Sequence, residues 1–300
     1  MKKSILFIFT ACFLFTTSCS DFLDEEHKTK YSSEYVFGTP EGLKLAVNAL
    51  YALQRYYAND TENATIFALE RGTDLAVTNG GTGNFYGIYD PNYLKPSASQ
   101  VGFMWRTMYQ IIGKANEIIA AAEDLEDTPS LRATVSEAKC FRAQSYFLLY
   151  RTFDRIWLNI QPTTAENVND PRDFHAASEK EVFDLIYEDL EYAITNLDWV
   201  SDEAGRFTQA AARHMKAKAA LWLKDWDTTL EQVEEIEKSG HFDLIALNEV
   251  FNAGDLNHKE ALMVQQWSKN PGGNLSNATP KGNYYAAYFI AQYRTEIGYP

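Results

Sequence analysis

Cys19 is the residue whose surroundings point most directly to a covalent reaction. Thr16-Thr17-Ser18 precede it, and before them an apolar run from Ile5 to Phe15 follows Lys2 and Lys3. A charged start, a short apolar stretch and small residues at a cleavage point make a secretory leader. The run is shorter than the about 20 apolar residues a membrane-spanning helix requires. With cysteine directly after the small residues, the site resembles a bacterial lipobox, in which the thiol is acylated and becomes the new N-terminus. The alternative is an ordinary cleaved leader with a chance cysteine; Cys12, inside the apolar run, is a poorer acceptor. A multiply acylated cysteine holds a protein on a membrane without a spanning helix. Loss of Lys2 and Lys3 with the leader takes the net charge from −14 to −16. Once Cys19 carries lipid, Cys140 has no thiol partner, so packing and not a disulfide must support the fold.

Other reactive constellations are weak. The five histidines (His27, His175, His214, His241, His258) are scattered, with no pair at the spacing of a zinc-binding helix. We therefore expect no metal, no cofactor and no enzymatic activity. Glu181, Asp184, Glu188 and Glu191 offer carboxylates of the kind glycoside hydrolysis uses, but their spacing puts them on the polar side of a helix. Gly80-Gly81-Thr82-Gly83 lacks the Lys-Ser/Thr that a phosphate-cradling loop requires. No Gly-x-Ser-x-Gly elbow occurs, and Cys140, beside Phe141, suits a buried thiol. The acidic balance leaves no basic stripe for phosphates, which argues against a nucleic-acid partner.

The elements are helical. Ser178 and Glu181 have the spacing of a capping box, and Val182, Phe183, Ile186, Leu190, Ala193, Ile194 and Leu197 keep the rhythm of one buried face. Ser201 to Gly205 breaks that pattern. An alanine-rich helix is expected from Thr208 to Leu223, and after a turn at Lys224-Asp225 another from Trp226 to Ser239, stopped by Gly240. Upstream, Thr39-Pro40 opens a helix to about Asn59. The apolar spacing predicts further helices over about Phe103–Glu123 and Leu131–Phe153, the latter capped in its regular part by Thr134 with Glu137. Phe242 to Phe251 is apolar but short, and 260–267 fits a strand or a short helix equally. Short-turn helix pairs with small residues at crossings predict a mainly all-α, helical-repeat scaffold. The segment 71–100 differs in kind: Asn79 to Asn84 is a loop signal, and Phe85, Tyr86, Tyr89 and Tyr93 follow among glycine, proline and asparagine.

Four stretches together resemble the SusD/RagB family. Trp105 to Ile119 is similar to its tryptophan-to-Ala-Asn helix, and Ser136 to Leu149 to its Ala-Glu-Ala-Arg-type helix. Ser178 to Ile194 and Gly205 to Ala212 resemble the two motifs that follow, in the same order, behind a lipobox. Phe153-Asp154-Arg155-Ile156-Trp157-Leu158 departs from the Phe-Gly-Asp-Val-Pro-Leu usual there, so the turn after that helix is expected to be shaped differently. Family members also continue well beyond the position of Pro300 and add a last helix pair, which makes a fragment or an early stop the expectation.

The resemblance implies a TPR-like scaffold of antiparallel helix pairs with long irregular ligand-binding loops. It implies a non-catalytic lipoprotein of the outer membrane, anchored through Cys19 and facing the cell exterior. The acidic Ser20 to Glu26 resembles the signal that sends such lipoproteins to the surface. Such a protein captures a nutrient, usually a glycan, and passes it to a SusC-like TonB-dependent transporter. Because the family builds its ligand surface from loops around the scaffold, Arg71, Phe85, Tyr86, Tyr89, Trp267, Tyr284 and Tyr285 become the ligand-binding candidates. The competing role for each is to fill space beneath a loop. Trp105, Trp157, Trp222 and Trp226, on or beside helices, are expected in the core. The chain thus divides into a leader at 1–18, an acidic tether at 19–38, a helical domain at 39–270 with a loop insertion at 71–100, and a loop-rich ligand-side region starting at 271–300. A repeat scaffold that captures protein or peptide is the alternative.

Overall fold

The computed structural model describes residues 31–58, 95, 97–172, 174–250 and 257–265. The spans expected as leader, most of the tether, nearly all of the 71–100 insertion and the 271–300 region lie outside these residues. Eight helices order the described chain: α1 (Ser33–Gly38), α2 (Pro40–Ala58), α3 (Ser99–Ala122), α4 (Pro129–Thr152), α5 (Glu179–Asn196), α6 (Gln209–Leu223), α7 (Trp226–Lys238) and α8 (Leu247–Val250). No strand occurs among the described residues. None of the described helices is long and apolar enough to cross a membrane.

Local chemistry sets the helix starts. Ser178 and Glu181 form the expected box: the serine hydroxyl accepts from Glu181 N–H at 3.3 Å, and the Glu181 carboxylate accepts from Ser178 N–H at 2.8 Å. The Ser178 hydroxyl also donates to the Glu181 carboxylate at 2.6 Å, and this bond, then the one from Ser178 N–H, hold the Glu181 carboxyl below its usual range. Thr208 caps α6 through Ala211 N–H at 3.2 Å. Lys224, in the left-handed region at φ 61°, closes α6, and Asp225 at once caps α7 through Thr228 N–H at 3.1 Å. That two-residue corner folds α7 back on α6.

Three expectations change. The cap of α4 is Thr128, whose hydroxyl accepts from Leu131 N–H at 3.2 Å behind Pro129. Thr134 instead returns its hydroxyl to the Ser130 carbonyl, and Glu137 faces α2. Within the span expected as a tether, Ser32 caps a helical turn at Ser33–Gly38. That turn lies so close to α2 that a Cβ on Gly42 would meet the Tyr35 carbonyl oxygen at 2.2 Å, so glycine is required there. Residues 260–265 are neither strand nor helix.

Each helix from α2 to α7 packs on the next. Leu43, Val47, Leu50, Ile112, Ile118, Phe141, Leu149, Val182, Ile186 and Leu190 form one continuous core. In α6 the inward stripe is alanine: Ala210, Ala211, Ala212, Ala217, Ala219 and Ala220 are buried, which lets α5 and α7 approach closely. With 216–217 and 219–220 facing in, the helical period turns 221 and 222 outward. Trp222 and Trp226 are therefore 49% and 57% exposed and do not join the core as expected. Trp105 and Trp157 are half-buried.

The core also holds charge. Asp189 of α5 is fully buried, and its carboxylate accepts from Arg142 Nε at 2.8 Å, Arg142 Nη2 at 2.7 Å and Lys139 Nζ at 2.9 Å. Arg142 Nη1 donates to Asn116 Oδ1 of α3 at 2.8 Å. Burial alone pulls the Arg142 guanidinium down, but the bonds and charge of Asp189 hold it above its ordinary value. One carboxylate thus fastens α4 to α5, and its guanidinium partner reaches α3. A second cluster joins α2, α4 and the turn before α6. Tyr51 hydroxyl donates to Glu137 and accepts from Phe207 N–H at 2.7 Å, while Arg206 donates to Glu137 at 3.2 Å and to Glu203 at 2.9 Å. The rings of Tyr51, Phe141 and Phe207 pack edge-on or tilted around it.

Candidate functional site

The loop candidates Arg71, Phe85, Tyr86, Tyr89, Trp267, Tyr284 and Tyr285, and the acylation candidate Cys19, all lie outside the described residues. What the structure does display is the connection between α4 and α5, where the sequence departs from the family motif. From Phe153 to Gln161 it runs across α3 and α4, and the half-buried Tyr109 and the buried Tyr146 fix it. Tyr109 hydroxyl donates to the Trp157 carbonyl at 2.8 Å and accepts from Trp157 N–H at 2.9 Å. Tyr146 does the same for Asn159, at 2.8 and 2.7 Å. Backbone groups two apart on extended chain face the same way, so the hydroxyls take the place of a neighbouring strand. Asn116 Nδ2 adds a bond to the Asn159 carbonyl at 2.7 Å, and the Ile156 carbonyl accepts from Ala177 N–H at 2.9 Å. Burial pushes both phenols up, so they stay neutral donors throughout the physiological range.

Trp157 is thereby held by its own backbone. Its ring stacks on Tyr109 (6.3 Å between centroids, 23°), Phe174 lies beside it at 4.9 Å, and the Arg172 guanidinium sits 6.0 Å above it. Phe174 is 68% exposed. Arg172 also donates to Thr163 Oγ1 at 3.2 Å, and Asn167 bonds Thr164 N–H and the Pro162 carbonyl, closing the polar loop that borders the rings. No motif announced this arrangement; the tryptophan standing in the family's proline position was its one sequence signal.

A cavity of about 320 Å³ opens between the α5–α6 turn and residues 241–242 and 257–264, lined in part by Trp199, Asp202, Arg206, His241, His258 and Met263. Trp199 has Arg213 over its ring at 5.3 Å and His241 stacked at 6.2 Å. The Tyr51–Glu137 pair has the groups of an acid–base couple, but the hydroxyl is bonded on both sides and burial pushes its pKa up; it works as a brace. Glu181, Asp184, Glu188 and Glu191 are exposed, the solvated face expected of them. Cys140 is buried, and burial, then the nearby Glu137 and Asp189 charges, raise its thiol well above the usual range. Among the described residues no cluster of His, Cys, Asp or Glu has a metal-binding arrangement.

A family model described as "Starch-binding associating with outer membrane" matches residues 21–221, two thirds of the chain. The chain belongs to the SusD-like family. A SusD-like protein of Bacteroides ovatus is 25% identical, over 89% of this chain and 50% of the relative. SusD-like protein P25 of Formosa agariphila is 24% identical, over 91% of this chain and 53% of the relative. The chain spans about half the length of the curated relatives it matches. Among solved structures, the surface glycan-binding protein A of Bacteroides fluxus superposes with a TM-score of 0.63 at 22% identity, over 75% of this chain and 50% of that one. A laminarin-binding SusD-like protein gives 0.55 at 22% identity, over 68% and 46%. These likenesses establish the fold, a TPR-like helical scaffold, and the helices described above are the SusD-like part of it.

Proposed function

We propose that the protein is an outer-membrane lipoprotein, anchored through Cys19 and displayed on the cell exterior, that captures an oligosaccharide. It hands the sugar to a SusC-like TonB-dependent transporter and carries out no chemistry on it. The observation that carries this reading is the family match, which starts at residue 21, two positions after the cysteine of the lipobox. A helical scaffold that begins shortly after the anchor, with further aromatic residues in its 71–100 segment, suits a receptor. The relatives include proteins whose names record glycan or laminarin binding. Aromatic faces suit the apolar C–H faces of sugar rings, while Arg71 and loop asparagines supply donors for hydroxyl groups.

Two experiments test the reading. Cys19→Ala should release the protein from the membrane fraction into the soluble fraction; retention in the membrane would remove the lipid anchor from the account. In gels containing polysaccharide, Tyr86→Ala and Trp267→Ala should each weaken the retardation of the chain by about tenfold in apparent affinity, the size of one lost aromatic contact. If both substitutions leave binding intact, these loop residues are not the site. Capture of peptides with no retardation by any sugar would instead favour a peptide-delivering scaffold.

A further inference from the structure

We propose that Trp157 and Phe174, with the Arg172 guanidinium at their edge, form a sugar-ring platform on the α4–α5 connection, a subsite for a neutral oligosaccharide. The proposal rests on the glycan-capturing reading and adds to it a site outside the loop candidates. Three observations bring it together. First, Phe174 presents an open ring to solvent although Trp157 stands 4.9 Å away, so the pair leaves an aromatic surface available without further opening. Second, the tryptophan half of the platform is held in place. Trp157 is fixed through both backbone groups by Tyr109 and through its ring by the Tyr109 face, so ordering it for a ligand costs little. Third, polar groups border the ring at hydrogen-bonding reach of its neighbourhood: Arg172 bridges Thr163 and the indole, and its planar fork has N–H donors beyond the one Thr163 uses.

Charge selects among sugars. The chain carries −14, and Glu166 and Asp170 lie in the same exposed loop. A polyanionic glycan would meet a like-charged field, whereas a neutral one would not. A protein partner fits less well, because a single open ring flanked by threonine, asparagine and arginine is small against the apolar patches that mark protein interfaces.

The test uses the chain from residue 20 onward, in gels containing soluble starch, xyloglucan or laminarin. Phe174 is exposed, so Phe174→Ala should fold normally, checked by an unchanged far-ultraviolet circular dichroism spectrum. It should lose about tenfold in apparent affinity for the polysaccharide that retards the parent chain, the equivalent of one aromatic contact. Phe174→Trp should restore retardation, which a merely structural role would not require, and Arg172→Ala should weaken it several-fold. Parent-like retardation of Phe174→Ala would overturn the platform and leave glycan capture standing. If none of the three polysaccharides retards the parent chain, glycan capture fails and the platform with it.

Discussion

Asp189→Ala is expected to destabilise the fold by about 3–5 kcal/mol, the cost of leaving buried charge without its partner. The substitution removes the carboxylate that Lys139 and Arg142 both serve, and both cations are nearly as buried as the aspartate. The Asn116 amide that Arg142 would keep as a side-chain partner is neutral and cannot replace the lost carboxylate. At about 2–4 °C per kcal/mol for a domain of this size, the midpoint of thermal unfolding should fall by roughly 10 °C. Asp189→Leu combined with Lys139→Met and Arg142→Met should recover much of that loss, because a buried ion cluster replaced by apolar side chains of similar volume is often neutral. Thermal unfolding followed by circular dichroism measures both. An Asp189→Ala midpoint within a degree or two of the parent would show that the cluster is hydrated and not the fastening of α3, α4 and α5 described above.

Arg206→Ala should have the next largest effect, about 3 kcal/mol near neutral pH, by depriving Glu137 of its cationic partner among the described residues at the junction of α2, α4 and the turn before α6. Burial raises the Glu137 carboxyl, while the Tyr51 bond and then the charge and bond of Arg206 pull it back down. Without Arg206 the carboxyl rises further. Between the ordinary glutamate value and the raised folded one, the folded state keeps a proton that the unfolded state has lost. Stability therefore falls as pH rises through that window. Below the ordinary value both states are protonated and this penalty vanishes. Urea unfolding should show a deficit that is small near about pH 4 and grows toward about pH 7. A deficit independent of pH would mean that Arg206 acts through packing on the Tyr51 ring, 5.1 Å away, and not through Glu137.

The scaffold was legible because its signals are local. Ser178 with Glu181, the stripe from Val182 to Ile194 and the Lys224-Asp225 corner each encode geometry within a few residues, and each stands where its spacing put it. Where two local signals competed, tertiary contact decided. Thr134 and Glu137 have cap spacing, yet Glu137 turns toward Tyr51, and Thr128 with Pro129 starts the helix. Asp189 was hidden for a related reason. It follows Glu188 in an acidic helix and looks solvated, but it stands three residues after Ile186, on the apolar stripe. A charge on that stripe, with Lys139 and Arg142 three apart on the facing helix, was the available clue. The α4–α5 connection was illegible, since nothing in its own sequence reveals that tyrosine hydroxyls on α3 and α4 will stand in for a strand. Trp222 and Trp226 misled through size alone: the alanine stripe of α6 takes the inner face and turns Trp222 outward, and Trp226 opens the next helix.

Glycan capture by this SusD-like chain can be read from native electrophoresis of the unsubstituted chain from residue 20 onward, in gels with and without soluble starch, xyloglucan or laminarin. Retardation by at least one polysaccharide relative to the polysaccharide-free gel is expected. Identical mobility in all four gels would contradict it.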